Sequence, residues 1–349
     1  MRKTTLPLLA LAAALISGCG SSKEKLSVFI WNDYVSPELI KQFEKENNCR
    51  VMMGHYDSNE TMLAKIQAGA SGYDILVPSS YMVETLASQG MLEKIDKSKI
   101  PNITNIDPAY LEAALDAKMT YGVPYMISFT GIAYRTDKIP EIKNTWQVFI
   151  DLPNPNCRNR IALMDDPRET IGAALISKGY SLNTTNTAEL AEAGDVVIEW
   201  KKNVAKFDNE AYKVGIASGE FVLVHGYSCD IAQVQSEDGG ENIGFFFPDE
   251  GYPMACDELV IMKNAPNKEL AYKFINFIHD GKNAAKNMDH TFCWSPNTAA
   301  YEFVPENIKN NPIIFPSADV IARGKVIRNF EGANVKLHSE IWDKIKAAK

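Results

Sequence analysis

The chain has 349 residues, which is the length of about two domains. It carries 36 lysines and arginines against 44 aspartates and glutamates, a formal charge of −8. Hydrophobic residues make up 46% and charged residues 23%, which is typical of a globular protein and argues against a disordered chain or a fibre. The acidic balance argues against a nucleic-acid partner, because phosphates require a basic face, and it leaves room for a cationic partner.

The N-terminus has the pattern of an export signal. Two basic residues are followed by an apolar run over Leu6–Ile16 and then by small residues that lead to Cys19. A membrane-spanning helix needs about 20 apolar residues, so the run is too short to be one. Small residues directly before a cysteine resemble the lipobox of bacterial lipoproteins, and the alternative is an ordinary signal peptide with a chance cysteine. We therefore expect a signal peptide at residues 1–18, lipidation of Cys19, a tether at 19–25 and a lipid-anchored protein in the periplasm or cell envelope.

Five further cysteines would be present in the exported protein. An odd number leaves at least one of them unpaired within the chain, and the sequence leaves their disulfide state open. They do not form a C-x-x-C pair, so we expect no structural zinc site. These cysteines are Cys49, Cys157, Cys229, Cys256 and Cys293.

Three predicted strands begin the folded part of the chain, and a predicted helix follows each of them. The strands are Leu26–Trp31, Val51–Tyr56 and Asp74–Val77. The first helix begins at Ser36-Pro37. The second extends from Ser58 to near Gly69, and the third extends from about Met82 to Gln89. Serine and proline are favoured at helix starts. This alternation predicts a mostly parallel sheet with helices on its faces.

The rest of the chain continues in the same style and predicts two α/β lobes. Strands are predicted at Tyr121–Tyr125, Gly131–Tyr134, Ile161–Met164, Phe221–His225, Ile243–Phe247 and Glu258–Met262. Helices are predicted at Arg168–Lys178, Ala188–Asn203 and Lys268–His279. The first two of these strands cross between the lobes, and the last one returns towards the first lobe. Ligands of such sheets bind beyond the carboxyl ends of the strands.

Aromatic rings and carboxylates cluster at five predicted strand exits. These clusters are residues 31–34, 78–81, 165–169, 227–230 and 256–258. A ring attracts a cation to its face by about 0.5–2 kcal/mol, and a carboxylate accepts charge-assisted hydrogen bonds from an ammonium group. Rings in series with acids would suit a long, flexible amine that carries several charges. Taken singly, such residues are also typical of core packing and of helix caps.

Longer stretches carry a resemblance to a known family. They are Trp31–Val35, Tyr56–Met62, Tyr73–Ser79, Gly90–Lys99, Gly179–Thr185, Pro248–Gly251, Asn264–Lys268 and Phe315–Asp319. In these stretches the sequence resembles the polyamine-binding proteins of bacterial ABC importers, which bind spermidine and putrescine. The resemblance covers nearly the whole exported chain, in order.

The resemblance implies a type II periplasmic-binding-protein fold, in which two α/β lobes joined by a hinge hold a ligand in the cleft between them. We expect residues 26–131 in the first lobe, 132–253 in the second and 254–315 in the first again. A C-terminal helical segment at 316–349 stays unassigned to either lobe. The implied function is the capture of a polyamine and its delivery to the permease of an ABC importer, by a monomer without catalysis, cofactor or metal.

The resemblance also implies a set of ligand-binding residues. Trp31 and Tyr34 would form an aromatic wall, and Asp257 would bind an ammonium group. The full set is Trp31, Asn32, Asp33, Tyr34, Ser79, Tyr81, Asp166, Glu169, Tyr227, Asp230, Ala255, Asp257, Cys293 and Arg328.

Three positions depart from the family pattern. Ala255 stands where a large aromatic residue is expected. Cys293 lies near another aromatic position, with Trp294 beside it as a possible substitute. Arg328 lies near a position that is polar or basic in the family, and a cation there would repel an extended triamine. The class of ligand is therefore better supported than its identity.

Two other functions are compatible with parts of the sequence. A protein of the same fold could bind a different amine or another small solute, but an anion would need basic cleft residues, and only Arg168 and Arg328 qualify. A carboxylate-dependent hydrolase could use Asp166 and Glu169 as an acid–base pair. The sequence contains no G-x-S-x-G, no H-E-x-x-H and no phosphate-binding glycine loop.

If Asp230 and Asp257 face the cleft, strand alternation predicts that the sulfurs of Cys229 and Cys256 face away from it.

Overall fold

The computed structural model describes residues 23–111, 114–330 and 332–348. The predicted signal peptide and the predicted lipidation site at Cys19 lie outside the described residues. The strands are β1 (Glu24–Trp31), β2 (Cys49–Tyr56), β3 (Ile75–Leu76), β4 (Gly122–Arg135), β5 (Ile161–Leu163), β6 (Lys206–Phe207), β7 (Leu223–Tyr227), β8 (Ile243–Phe246), β9 (Tyr252–Ile261) and β10 (Gly324–Val326).

The helices of the described residues follow the predicted alternation with the strands. They are α1 (Pro37–Asn47), α2 (Asn59–Gln67), α3 (Ser80–Ser88), α4 (Pro167–Ser177), α5 (Thr187–Lys201), α6 (Tyr212–Ser218), α7 (Ser228–Ser236), α8 (Lys268–Ile278), α9 (Gly281–Thr291), α10 (Glu306–Lys309), α11 (Ala318–Arg323) and α12 (Ala333–Ala347). Strand β1 begins at Glu24, so two residues of the segment predicted as a tether belong to the sheet.

The strands form a mixed sheet in the order β2-β1-β3-β9-β4-β7-β5-β6, with β10 paired to β9 and β8 paired to β4. The outer pairs of β1 with β2 and β3, and of β5 with β6 and β7, are parallel. The central pairs β3–β9, β9–β4 and β4–β7 are antiparallel. The prediction of a mostly parallel sheet is therefore wrong at the centre, because β4 and β9 carry the chain across and back between the lobes.

Strand β4 joins the two lobes as one continuous element. The sequence predicted two separate strands here, but the apolar residues between them stay extended and buried, so β4 has 14 residues. Its first half pairs with β9, with a register shift between Pro124 and Met126. Its second half pairs with β7 and β8. The two-lobed fold predicted from the sequence is thus observed, with β1–β3 in the first lobe and β5–β8 in the second.

Each lobe has its own aromatic core. In the first lobe Phe43 of α1 lies between Phe274 and Phe277 of α8, with ring centroids 5.1 and 5.3 Å away. In the second lobe the fully buried Trp146 and Trp200 stack at 6.2 Å. Burial of side chains of this size contributes about 1.5–3 kcal/mol each.

The C-terminal segment, which the sequence left unassigned, packs mainly on the second lobe. Helix α12 lies against α5. The Lys201 ammonium of α5 donates to the carbonyl oxygens of Ile345, Lys346 and Ala348 at 2.9, 2.7 and 2.6 Å. A cation at this position satisfies the free carbonyl groups at the end of a helix.

Candidate functional site

A narrow cleft with about 70 Å³ of free volume lies between the lobes. It is lined by thirteen of the fourteen predicted ligand-binding residues, which come from both lobes. These are Trp31, Asn32, Asp33, Tyr34, Ser79, Tyr81, Asp166, Glu169, Tyr227, Asp230, Ala255, Asp257 and Cys293. They converge because β1 ends at the cleft, and because α3, α4 and α7 begin there, directly after the strand exits that the sequence indicated.

Arg328 is the exception among the predicted residues. Its side chain is exposed and outside the cleft lining. Its backbone carbonyl instead accepts a hydrogen bond from the Arg168 guanidinium at 2.9 Å. Arg168 is buried and lies 3.7 Å from the ring centroid of Phe330 and 5.6 Å from that of Tyr81. Arg168, and not Arg328, is therefore the arginine that lines the cleft.

Asp257 is held in the cleft by two hydroxyl groups of the first lobe. The Ser79 hydroxyl donates to Oδ1 at 2.6 Å and the Tyr34 hydroxyl donates to Oδ2 at 2.7 Å. The Asn59 amide in turn donates to the Ser79 oxygen at 3.1 Å. Burial raises the pKa of the Asp257 carboxyl to about 6, although both hydroxyl bonds act against that rise. The carboxyl is thus fixed in position and ready to ionise beside a cation.

Asp166 and Glu169 lie at the start of α4 in the second lobe. Asp166 Oδ1 accepts the backbone N–H groups of Arg168 and Glu169 at 2.7 and 3.1 Å, so the side chain caps the helix. Glu169 Oε2 accepts from the Thr130 hydroxyl at 2.8 Å. Burial raises the pKa of both carboxyls, that of Glu169 to about 8. Among the described residues, the second oxygen of each group has no hydrogen-bond partner.

Asp230 already has close partners in the second lobe. Its Oδ2 accepts from the Tyr212 hydroxyl, and its Oδ1 lies 3.6 Å from the Lys213 ammonium. The same ammonium lies 3.0 Å from Asp33 Oδ2 of the first lobe. Lys213 was not among the residues predicted from the sequence.

Aromatic rings lie beside these acids. The Trp31 indole donates to the Val77 carbonyl at 2.8 Å, and its ring lies 4.7 Å from that of Tyr56. Tyr34 meets Tyr125 edge to face at 5.5 Å. Rings fixed in this way can cover methylene groups and attract cations without losing conformational freedom on binding.

Two positions that depart from the family pattern lie in the cleft. Ala255 and Cys293 both line the cleft. Trp294 does not take the place of the missing ring, because it stacks on Phe129 at 5.6 Å. Cys229 also lines the cleft, so the prediction that its sulfur faces away is wrong, since residues 228–236 form helix α7 rather than a strand. The five cysteines that the structure describes are buried and unpaired by disulfides.

The structure adds cleft residues that the sequence analysis missed. They are Asp57, Asn59, Ser128, Asn209, Glu210, Lys213, Gln233 and Ile327. Asp57 directly follows β2, so the strand-exit pattern could have found it. Two of the others make contacts across the cleft: Asn32 donates to Glu210 at 2.9 Å, and Asn209 donates to the Asp57 carbonyl at 3.3 Å.

Taken together, the lining is acidic. Seven carboxylates face two cations, Arg168 and Lys213. Among the described residues, no group of three or more histidine, cysteine or acidic side chains is arranged to hold a metal ion. In the same part of the chain, no helix combines the length and the hydropathy of a membrane span. The arrangement suits a cationic organic solute.

Two lobes around a cleft of this kind define a solute-binding protein, and the comparisons agree. Residues 38–316 match the family described as bacterial extracellular solute-binding protein. A putrescine/cadaverine-binding protein of Pseudomonas aeruginosa is 33% identical over 348 residues, which cover 97% of this chain and 98% of the relative. A spermidine/putrescine-binding periplasmic protein of Escherichia coli is 34% identical over 343 residues, covering 97% of both chains.

A solved structure agrees as well. The Tp0655 (TpPotD) lipoprotein of Treponema pallidum is 36% identical, with a TM-score of 0.82, and the match covers 92% of this chain and 99% of that one. The chain therefore belongs to the bacterial extracellular solute-binding protein family. The resemblance to its polyamine-binding members, expected from the sequence, is confirmed by these relatives.

Proposed function

We propose that this protein captures a polyamine outside the cytoplasm and delivers it to an ABC importer. The observation that carries the proposal is the meeting of Asp257, Asp166 and Glu169 in one cleft with fixed aromatic rings. The names of the relatives from P. aeruginosa and E. coli, which bind putrescine, cadaverine or spermidine, support it.

Binding would use two kinds of contact. One ammonium group would meet Asp257, and another would meet the Asp166–Glu169 pair at the start of α4. Each charged hydrogen bond contributes about 1.5–3 kcal/mol, and each ring over a cation adds about 0.5–2 kcal/mol. The rings of Trp31 and Tyr34 would cover the methylene groups between the charges. A neutral solute of the same length would leave the acids without a counterion.

Delivery would depend on closure of the lobes. Strands β4 and β9 connect the lobes, so a hinge motion between them would close the cleft around the ligand. Expulsion of water on closure strengthens the ion pairs. The permease would then recognise the surface that the closed lobes present together. Nothing in this cycle needs a covalent step, so we propose binding without catalysis and a monomeric state.

Location is part of the proposal. A lipid on Cys19 would hold the protein at a membrane surface, with the folded chain in the periplasm or cell envelope. The solved relative from T. pallidum is described as a lipoprotein, which supports this anchor. Mass spectrometry of the mature protein tests it: we expect a diacylglycerol-modified N-terminal cysteine, and an unmodified N-terminus would contradict the anchor.

A second candidate is a bulkier or differently shaped amine. Ala255 lines the cleft at a position where the family pattern predicts a large ring, so an amine with a wider body would use the room that such a ring would fill. The acids would bind such an amine as they would a polyamine.

Calorimetric titration of the purified protein tests the proposed function. The ligand series is putrescine, cadaverine, spermidine, spermine and agmatine, and 1,4-butanediol serves as a neutral control of matched length. We expect saturable binding of at least one polyamine and none of the diol. Absence of heat and of a thermal shift with every polyamine would overturn the assignment. Preference for agmatine would favour the second candidate.

A further inference from the structure

The cleft contains an ammonium group of its own. Lys213 extends from α6 of the second lobe, and its side chain is only 18% exposed. Its Nζ lies 3.0 Å from Asp33 Oδ2 and 3.6 Å from Asp230 Oδ1. These acids come from different lobes, so the ammonium bridges the mouth of the cleft. We call Asp33, Asp230 and Lys213 together the lysine subsite.

Asp230 differs from Asp166 and Glu169 in whether a carboxylate oxygen remains without a partner. Asp230 accepts from the Tyr212 hydroxyl through Oδ2 and faces Lys213 through Oδ1. By contrast, Asp166 and Glu169 each have one oxygen without a hydrogen-bond partner among the described residues. We call Asp257 and the Asp166–Glu169 pair the acid subsites.

The charges of the cleft also fall into two groups. Burial raises the pKa of Asp230 and of Glu169. The neighbouring charges that also act on the pKa of Asp230 are those of Lys213 and Asp33, whereas Asp166, Arg168 and Asp257 act on that of Glu169. Burial alone would lower the pKa of Lys213, but Asp230 and the bond to Asp33 outweigh burial and raise it. Lys213 therefore stays charged in the pH range where an amine ligand is charged.

A ligand ammonium at the lysine subsite would meet a like charge. It would have to displace Lys213 from both carboxylates or share them with it, and either course weakens binding. The acid subsites carry no such lysine, and the cation nearest to them, Arg168, is held by Phe330 and the Arg328 carbonyl.

We propose that Lys213 occupies one amine position of the cleft from within and thereby limits the ligand to two ammonium groups. This proposal rests on the proposed function. The acid subsites would hold the two ends of a diamine, and the lysine subsite would reject the third ammonium of a triamine. Lys213 is then a specificity-determining residue that does not itself bind the diamine.

The test is the ratio of spermidine affinity to cadaverine affinity, measured by calorimetry on the purified protein. In Lys213→Met we expect this ratio to rise by about tenfold, which corresponds to about 1.4 kcal/mol. Lys213→Arg keeps the charge and should keep the original ratio. Lys206→Met is the matched control, because it removes a lysine of the same lobe that pairs with Asp208 outside the cleft lining.

A double-mutant cycle with Asp230→Asn completes the test. In Lys213→Met we expect this change to abolish the gain in spermidine affinity. An unchanged ratio in a folded Lys213→Met that still binds cadaverine would overturn the inference and leave the proposed function intact. If the unsubstituted protein binds none of the amines, both the inference and the proposed function are overturned.

Discussion

Asp257 and Glu258 are consecutive buried acids on β9 whose side chains lie in different surroundings. Asp257 lines the cleft, and both of its oxygens accept bonds from hydroxyl groups. Glu258 is completely buried, its Oε1 accepts from Ser80, and among the described residues its Oε2 has no hydrogen-bond partner. Successive side chains of a strand point to opposite faces. One strand therefore places a ligand-binding candidate and a core group side by side.

A glycine near Glu258 on the neighbouring strand explains how the core accommodates this carboxyl. Gly122 of β4 lies against this carboxyl, and a Cβ at residue 122 would lie 2.0 Å from Glu258 Oε2. Burial raises the pKa of Glu258 to about 8, above that of Asp257 at about 6. At neutral pH Glu258 is thus mostly uncharged, while Asp257 ionises more readily and can pair with a cation.

The largest expected effect is on ligand binding when Asp257 is changed. Asp257→Asn should weaken binding of the preferred polyamine by at least about thirtyfold, since removing one partner of a buried charged pair costs about 2–5 kcal/mol. Calorimetry measures the affinity. Glu258→Gln is the matched control, one residue away, and should change the affinity by less than about threefold. Equal losses in both variants would contradict the difference between the two faces.

The next effect is the pH dependence of binding. Asp257 and Glu169 have raised pKa values of about 6 and about 8 in the empty cleft, so each is partly protonated as the pH falls through those values. An ammonium ligand favours the ionised forms, and its binding therefore releases protons. We expect the affinity to rise by up to about a hundredfold from pH 6 to pH 8 and to level off above about pH 9. Titration in buffers of different ionisation enthalpy measures the release, and a flat profile without released protons would be inconsistent with this arrangement.

Glu258→Gln should change stability rather than binding. A carboxyl with a folded pKa of about 8, above its ordinary value of 4.5, destabilises the fold progressively as the pH rises from 4.5 towards 8. The variant should match the original protein at pH 5 and exceed it by about 1–3 kcal/mol at pH 8.5. Urea unfolding at both pH values measures the difference. The same stability difference at both values would show that Glu258 is not the titrating group.

The smallest expected effects separate the two serines that bond these acids. Ser79→Ala removes a hydroxyl bond to Asp257 and should weaken polyamine binding by about fivefold, or about 1 kcal/mol. Ser80→Ala removes the bond to Glu258 and should lower stability without changing affinity. Calorimetry and urea unfolding of both variants give the answer, and weaker binding in Ser80→Ala would run against the proposal.

Sequence patterns predicted the parts of the site that depend on local order along the chain. Trp31, Ser79, Asp166 and Tyr227 all lie where a strand ends or a helix begins, and this position was visible before the structure. The two-lobed fold was predictable for the same reason, because strands and helices alternate along the chain.

Other features depend on contacts between distant residues. Lys213 lies inside α6, and its importance arises only because α6 approaches Asp33, which is 180 residues away in the chain. The wrong prediction for Cys229 has a local cause, because Cys229 lies in helix α7, where the alternation of side chains along a strand does not apply. For Arg328, the chain turns its carbonyl to Arg168 and its side chain to solvent. The continuous strand β4 depends on pairing with β9, β7 and β8, which local sequence does not encode.

A crystal structure of the protein with its tightest-binding amine tests the central claim most directly. We expect one ammonium nitrogen within about 3 Å of the Asp257 carboxylate and a second at the Asp166–Glu169 pair. Lys213 should remain between Asp33 and Asp230. A bound amine that leaves the Asp257 carboxylate without contact would contradict the account.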